Sequence, residues 1–328
     1  MSVEDINNTM SHSTLAFVFP GQGSQSLGMM SDLADAFPVV SETFAEASAV
    51  LGYDLWQLIQ QGPEQELNET DKTQPAMLAA GVAAWRVWQS QTDVLPVMMA
   101  GHSLGEYTAL VCSGAINFSD AVALVADRGR FMQQAVPAGT GAMAAILGLE
   151  DDRVKAVCTD AAQGEVVAAV NFNSPGQVVI AGHTAAVTRA IDGAKAAGAK
   201  RALLLPVSVP SHCSLMQPAA DNMQQRLASI EITTPKISII NNVDVTTVTS
   251  ADDIRATLVR QCYQPVRWVE TIQFMQAHGI STIVECGPGK VLAGLNKRIE
   301  RSMTALPLFD STSLQQALAA INSVEEIS

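Results

Sequence analysis

The chain has 328 residues, 48% of them hydrophobic, and a formal net charge of −13; it is long enough to bury a sizeable core and too acidic overall to suit nucleic acid or an anionic membrane surface. No apolar run approaches the roughly 20 residues that span a bilayer, and residues 1–13 are polar and acidic, lacking the basic and apolar stretches of a signal peptide, so they read as a disordered tail. Five cysteines (Cys112, Cys158, Cys213, Cys262 and Cys286) are odd in number and widely spaced, which points to free thiols in a reducing compartment, the cytoplasm, and away from disulfides or structural zinc.

Leu15-Ala-Phe-Val-Phe19 is a short apolar run that stops at Pro20-Gly-Gln-Gly23, a buried strand closed by a sharp turn. Helical patterns cover 29–51 and the Ala-rich 73–89. Residues 95–100 form a second buried strand, which runs into Gly101-His-Ser-Leu-Gly105 and then a helix through Cys112. Another helix spans 119–134, capped by Ser119 and carrying Arg128. Over 141–207 the pattern changes. Strands are expected at 142–147, 166–170, 177–181 and 202–205, with helices at 151–162, capped by Asp151, and at 184–197. Asn173-Ser-Pro-Gly176 is a turn sequence between the middle two strands. This βαββαβ order is the ferredoxin-like arrangement. Strands at 236–241 and 280–286 and closing helices complete the chain. The expected fold class is α/β: a large hydrolase-like body with a parallel sheet, built from 14–137 and 208–310, an inserted ferredoxin-like subdomain at 138–207, and a C-terminal helix or tail at 311–328.

Gly101-His-Ser-Leu-Gly105 matches G-x-S-x-G, the nucleophile elbow. A strand, a glycine-flanked serine and a helix make a tight turn with one exposed side chain, Ser103, at its tip. The N–H of the next residue, Leu104, faces the oxyanion that would develop there. A serine hydroxyl needs a base within hydrogen-bond reach. Of five histidines, His12 lies in the tail, His102 is adjacent to the serine, His183 reads as a helix cap and His278 as a helix C-terminal residue. His212, where the chain returns to the body, is left as the base, with a buried structural histidine as the alternative. A second oxyanion donor fits the N–H of Gln22 in the Pro20–Gly23 turn, although simple strand punctuation explains that turn equally well.

Phe19-Pro-Gly-Gln-Gly-Ser-Gln25, Gly101-His-Ser-Leu-Gly-Glu-Tyr107, Asn171-Phe-Asn-Ser-Pro-Gly-Gln177, Val209-Pro-Ser-His212, Asn241-Asn-Val-Asp244 and Gly287-Pro-Gly-Lys290 occur together and in order. This set resembles the malonyl-CoA:acyl-carrier-protein transacylases of bacterial type II fatty acid synthesis, over about residues 15–298. The resemblance implies that Ser103 is the acylated nucleophile and His212 its base, and that the amides of Gln22 and Leu104 form the oxyanion hole. It implies that the backbone carbonyl of Gln261 orients the imidazole in place of a triad acid, and that Arg128 grips the malonyl carboxylate, for which a guanidinium fork is suited and a lysine is not. Without the resemblance, Arg128 reads as a helix-surface ion pair with Asp127. Asn171 and Asn173 are expected to line the cleft between body and subdomain. Coenzyme A enters and leaves as part of substrate and product; no metal or other cofactor is implied. The expected partners are malonyl-CoA and a phosphopantetheinylated acyl carrier protein, met by a monomer through a basic patch drawn from Lys195, Lys200, Arg201, Lys290, Lys297 and Arg298. The segment at His212 fits malonyl better than methylmalonyl use, and Cys286 departs from the family's more usual aliphatic residue. Two rivals are a G-x-S-x-G hydrolase, which would want an acid between serine and histidine, and a carrier-docking module without turnover.

Overall fold

The structure, a computed structural model, describes residues 11–207 and 209–325. Residues 1–10 of the expected tail lie outside the described residues, whereas 11–13 open β1 (Ser11–Phe19), which stops just before Pro20. The single helix expected at 29–51 is two, α1 (Ser31–Ala36) and α2 (Pro38–Leu51). Pro38 disfavours helical backbone at Phe37, which is extended, and then occupies the first position of α2, where its missing N–H is not needed. After α3 (Leu55–Gln61) and α4 (Glu64–Leu67) comes the long Ala-rich α5 (Thr70–Gln91). β2 (Leu95–Gly101) leads through the serine turn into α6 (Gly105–Cys112), and α7 (Phe118–Gln134) carries Arg128. The cap of α7 is Asn117, not Ser119: its side chain accepts the Ser119 N–H at 2.9 Å.

β3 (Gly141–Leu147), α8 (Asp151–Ala162), β4 (Val167–Ser174), β5 (Gln177–His183), α9 (Thr184–Ala196) and β6 (Arg201–Leu204) form a separate four-stranded sheet in the order β4-β5-β3-β6. Every pairing in it is antiparallel. Asp151 is the first helical residue of α8 and not its cap, which falls on Glu150. β4 runs on through Asn173 and Ser174, so the turn to β5 shrinks to Pro175 and Gly176.

The chain then supplies α10 (Gln217–Leu227), β7 (Ser238–Ile240), β8 (Thr247–Val248), α11 (Ala251–Gln261), α12 (Trp268–Ala277), β9 (Thr282–Cys286), α13 (Val291–Ile299), β10 (Thr304–Leu308) and α14 (Ser311–Glu325). β10 is a strand where closing helices alone were expected. The larger sheet has the order β10-β9-β1-β2-β7-β8, parallel except for β7 against β8.

Alternation along the central strands explains why their sequences are apolar throughout. Leu15, Phe17 and Phe19 enter the core under α2, α5 and α7, while Ala16 and Val18 enter the core under α12 and α13. Ala142, Ala144, Ile146, Val178 and Ile180 of the smaller sheet pack on α8 and α9. Its other face turns Met143, Val170, Val179 and Ala181 toward Cys213. Main-chain bonds tie the smaller sheet to the segment between α11 and α12: the Phe172 N–H donates to Val266 O at 3.0 Å and the Val266 N–H donates to Val170 O at 2.8 Å. Among the described residues no helix is long and apolar enough to cross a membrane.

Candidate active site

The serine turn is fixed by close packing of backbone. A Cβ on Gly101 would lie 1.8 Å from the carbonyl carbon of Gly105, and one on Gly105 would lie 2.0 Å from Phe19 O. Both positions therefore require glycine, and β2 can fold directly back against α6. Between them Ser103 adopts φ 52°, a left-handed conformation that costs free energy for a non-glycine residue and is held by its surroundings. Asn242, after β7, provides much of that hold. Its Oδ1 accepts the Ser103 N–H at 2.8 Å and its Nδ2 donates to Gly101 O at 2.7 Å.

His212 also has positive φ, 65°, and is 3% exposed. The end of α11 anchors it twice: its N–H donates to Cys262 O at 3.0 Å, and its ring Nδ1 lies 2.7 Å from Gln261 O. A carbonyl only accepts, so Nδ1 carries the proton and Nε2 is the acceptor. Nε2 lies 2.7 Å from Ser103 Oγ. Burial, and then the charge of Arg128, push the imidazole down to about 3. The ring is thus neutral and aimed at the hydroxyl.

Arg128 comes from α7 and is 1% exposed. Its Nη1 donates to Gln74 Oε1 at 2.8 Å, and its Nη2 donates to Gln261 Oε1 at 3.0 Å and reaches Ser103 Oγ at 3.4 Å. Nε has no hydrogen-bond partner among the described residues. The surface pair with Asp127 does not form; Asp127 is taken by Arg130 and Arg226. A buried guanidinium beside a serine, without a directly paired carboxylate, is costly unless an anion is to be bound there.

The Pro20–Gly23 turn packs on the elbow: a Cβ on Gly21 would meet His102 O at 2.5 Å. The N–H groups of Gln22 and Leu104 donate to none of the described residues, as two oxyanion donors would require. Gly287 and Gly289 back this turn from the far side, close to Pro20 and Ser24. Asn173 reaches the site from the smaller sheet, its Oδ1 2.8 Å from His102 Nε2. Asn171 is buried where β4 bridges Val266, and no hydrogen bond joins its side chain to Ser103 or His212. Gln74, Glu106 and Asn242 are site neighbours that the sequence reading assigned no role. Glu106 and Asn242 lie within the Gly101–Tyr107 and Asn241–Asp244 motifs, whereas nothing in the sequence around Gln74 marks it. Cys213, beside the histidine, is an inert thiol, pushed up to about 11 by burial.

A cavity of about 150 Å³ is bordered by Gln22, Thr70, Gln133, Val207 and Val209. A larger groove of about 720 Å³ runs between α8, β4 and α12, past Lys155, Phe172 and Glu270. Neither lining includes Ser103, His212 or Arg128; of the oxyanion-hole and catalytic candidates only Gln22 borders the smaller cavity.

The acyl transferase domain family matches residues 16–311. The malonyl CoA-acyl carrier protein transacylase of Escherichia coli (strain K12) is 60% identical over 303 residues, covering 92% of this chain and 98% of that protein. An acyl carrier protein S-malonyltransferase from Vibrio cholerae superposes with a TM-score of 0.91 at 58% identity, covering 93% of this chain and all of that one. A malonyl-transacylase solved in complex with its type II PKS acyl-carrier protein gives a TM-score of 0.93 at 59% identity over 94% of this chain and all of the matched chain. Identity of this order across nearly the full length of both proteins reaches past the fold to the group, and the chain belongs to the malonyl-CoA:acyl-carrier-protein transacylases, acyltransferases within the acyl transferase domain family.

Proposed function

We propose that the protein moves a malonyl group from malonyl-CoA to the phosphopantetheine thiol of an acyl carrier protein through a malonyl ester on Ser103, supplying malonyl carrier for fatty acid synthesis in the cytoplasm. The observation that carries this reading is Arg128, a buried guanidinium without a directly paired carboxylate, 3.4 Å from the serine hydroxyl. Ser103 Oγ attacks the thioester carbon while His212 Nε2 takes its proton. The oxyanion is received by the amides of Gln22 and Leu104. Collapse breaks the C–S bond, and the proton on His212 leaves with the coenzyme A thiol. The carrier's thiol then gives its proton to His212 and attacks the ester, and Ser103 leaves with that proton. Gln261 O holds the imidazole tautomer throughout, and Arg128 holds the malonyl carboxylate.

The body of this enzyme is read as hydrolase-like, from 14–137 and 208–310, and the unit at 138–207 as ferredoxin-like, supported by its βαββαβ connectivity and antiparallel β4-β5-β3-β6 order. Asn173 lines the cleft between them. The test is intact-protein mass after brief mixing with malonyl-CoA alone. One malonyl adduct is expected, absent in Ser103→Ala and cleared by holo carrier. Free malonate without an adduct would support a hydrolase; neither product nor adduct would leave a binding module. In Arg128→Ala, malonyl transfer is expected to fall about 100-fold more than acetyl transfer, and equal losses would remove the carboxylate role.

A further inference from the structure

A guanidinium as deeply buried as Arg128 needs a balancing charge. Glu106, on α6 and 2% exposed, is a buried acid joined to it by hydrogen bonds through one intermediate. Glu106 Oε2 accepts from Gln261 Nε2 at 2.8 Å and from the Asn242 N–H at 3.0 Å. Gln261 Nε2 also donates to Ser103 O at 3.0 Å, and Gln261 Oε1 accepts from Arg128. This orientation of the amide is forced, because an ionised carboxylate only accepts and a guanidinium only donates. Arg128 and Glu106 are therefore an ion pair spaced by one amide. A direct pair would occupy the guanidinium fork. The spaced pair balances the charge and leaves Nε, and the edge near Ser103 Oγ, for a ligand.

We propose that Glu106 is a positioning residue that sets the strength of carboxylate recognition: through the Gln261 amide it balances Arg128 in the free enzyme, and its negative charge limits how tightly the site then holds the acyl carboxylate. Such a limit serves a transferase, because the acyl group must leave the grip again with the second thiol. The proposal rests on the reading of Arg128 as the carboxylate grip. The charged and titratable groups that face Glu106 are Arg128 from α7, Asp244 from the loop after β7, itself held by Arg260 at 2.8 Å, and Tyr107 from its own helix. Burial pushes Tyr107 up, so it stays neutral. Burial also lifts Glu106 to about 7, against the pull of Gln261, Asn242 and Arg128. Its charge therefore changes within the working range of pH.

The experiment is calorimetric binding of malonyl-CoA and acetyl-CoA to the full chain carrying Ser103→Ala, with and without Glu106→Gln. The substituted amide keeps an acceptor oxygen for Asn242 and Gln261 and removes the charge. The ratio of malonyl-CoA to acetyl-CoA affinity is expected to rise about fivefold or more in the double variant. In the Ser103→Ala parent the ratio is expected to fall as pH rises through about 7, and Glu106→Gln abolishes that slope. A ratio that holds or falls in the double variant, or a slope that survives in it, overturns the proposal. Should the double variant not fold, the parent decides: a flat ratio between about pH 6 and 8.5 overturns it. Arg128→Ala in the same background tests the underlying reading separately. Equal loss of both ligands there defeats the carboxylate grip; selective loss there with an unmoved Glu106→Gln ratio defeats only the role of Glu106.

Discussion

His212 is held neutral by two forces that act on one ring. Burial acts first and the charge of Arg128 second, and together they bring it to about 3. A base that is already deprotonated accepts from Ser103 at any pH above that value. The acid limb of acylation should then lie below about pH 5 and not near the ordinary histidine value of about 6.5. Removing Arg128 removes one of the two causes, so in Arg128→Ala the acid limb of acetyl transfer should move to higher pH. Rapid-quench acylation across about pH 4.5–8 measures both; a parent limb near 6.5, or a limb unmoved in the variant, contradicts this account. Malonyl and acetyl groups should also differ here, since a bound carboxylate offsets Arg128 and an acetyl group does not. At this scale the sequence was legible where a residue sits in a local motif. Ser103 and Leu104 follow from the elbow, His212 from elimination, and the structure brings Arg128 and the Gln261 carbonyl to them. Gln74 and the side chain of Gln261 were not legible. They lie on other elements, 54 and 133 residues from their shared partner Arg128, and only folding brings them together.

Elements meet at the site through backbone contacts and buried polar caps. Glu285, in β9 and fully buried, accepts the N–H groups of Leu292 and Ala293 at 3.0 and 2.7 Å, so a strand carboxylate caps the start of α13. This cap closes the Gly287-Pro-Gly-Lys290 loop against the Pro20–Gly23 turn. Glu285→Ala would leave two buried donors unpaired and should cost about 3 kcal/mol by urea unfolding. Glu285→Gln keeps an acceptor and separates charge from hydrogen bonding. Burial raises Glu285 from 4.5 to about 7. Between those values the folded state binds the proton more tightly than the unfolded state, so the parent loses stability as pH rises through the window. The glutamine variant does not titrate and should gain about 1–3 kcal/mol on the parent between pH 5 and pH 8. A difference independent of pH would show that the carboxylate pays no burial penalty. Helix and strand types were legible from periodicity, and their ends less so. Pro38 divided one expected helix, and Asn117 displaced Ser119 as a cap. β10 carries Pro307 and has a half-buried middle, so it lacks the continuous apolar run that marked β1 and β2.

The whole molecule carries a charge of −13, yet a carrier that the family resemblance implies to be acidic must dock on it. Long-range repulsion then has to be overcome by a local patch. The fold brings part of one together. In the smaller sheet Arg201 stands opposite Leu147, and Leu147 opposite Gln177. Arg298 of α13 donates to Gln177 Oε1 at 2.9 Å. Lys200 packs over Gly148, whose N–H donates to Gly176 O. Lys200 and Arg201, adjacent in sequence, and Arg298, nearly a hundred residues on, thus gather near the β4–β5 turn, and Asn173, on the same hairpin, touches the serine elbow through His102. Lys195 is already engaged by Asp192 at 3.7 Å and is the weaker candidate. A carrier seated at this turn would have its phosphopantetheine arm beside the cleft. Arg201→Glu and Arg298→Glu should each raise KM for the carrier about tenfold at low salt, and much less for malonyl-CoA. The difference between parent and variants should shrink in salt of about 0.5 M, because exposed charges are screened over a few ångströms there. Carrier KM values that stay with the parent would move the docking surface to Lys290 and Lys297. These sit on the same helix as Arg298 or just before it, with Lys290 next to the turn that holds Gln22, so the same measurement on their charge-reversed forms decides between the two ends of the cleft.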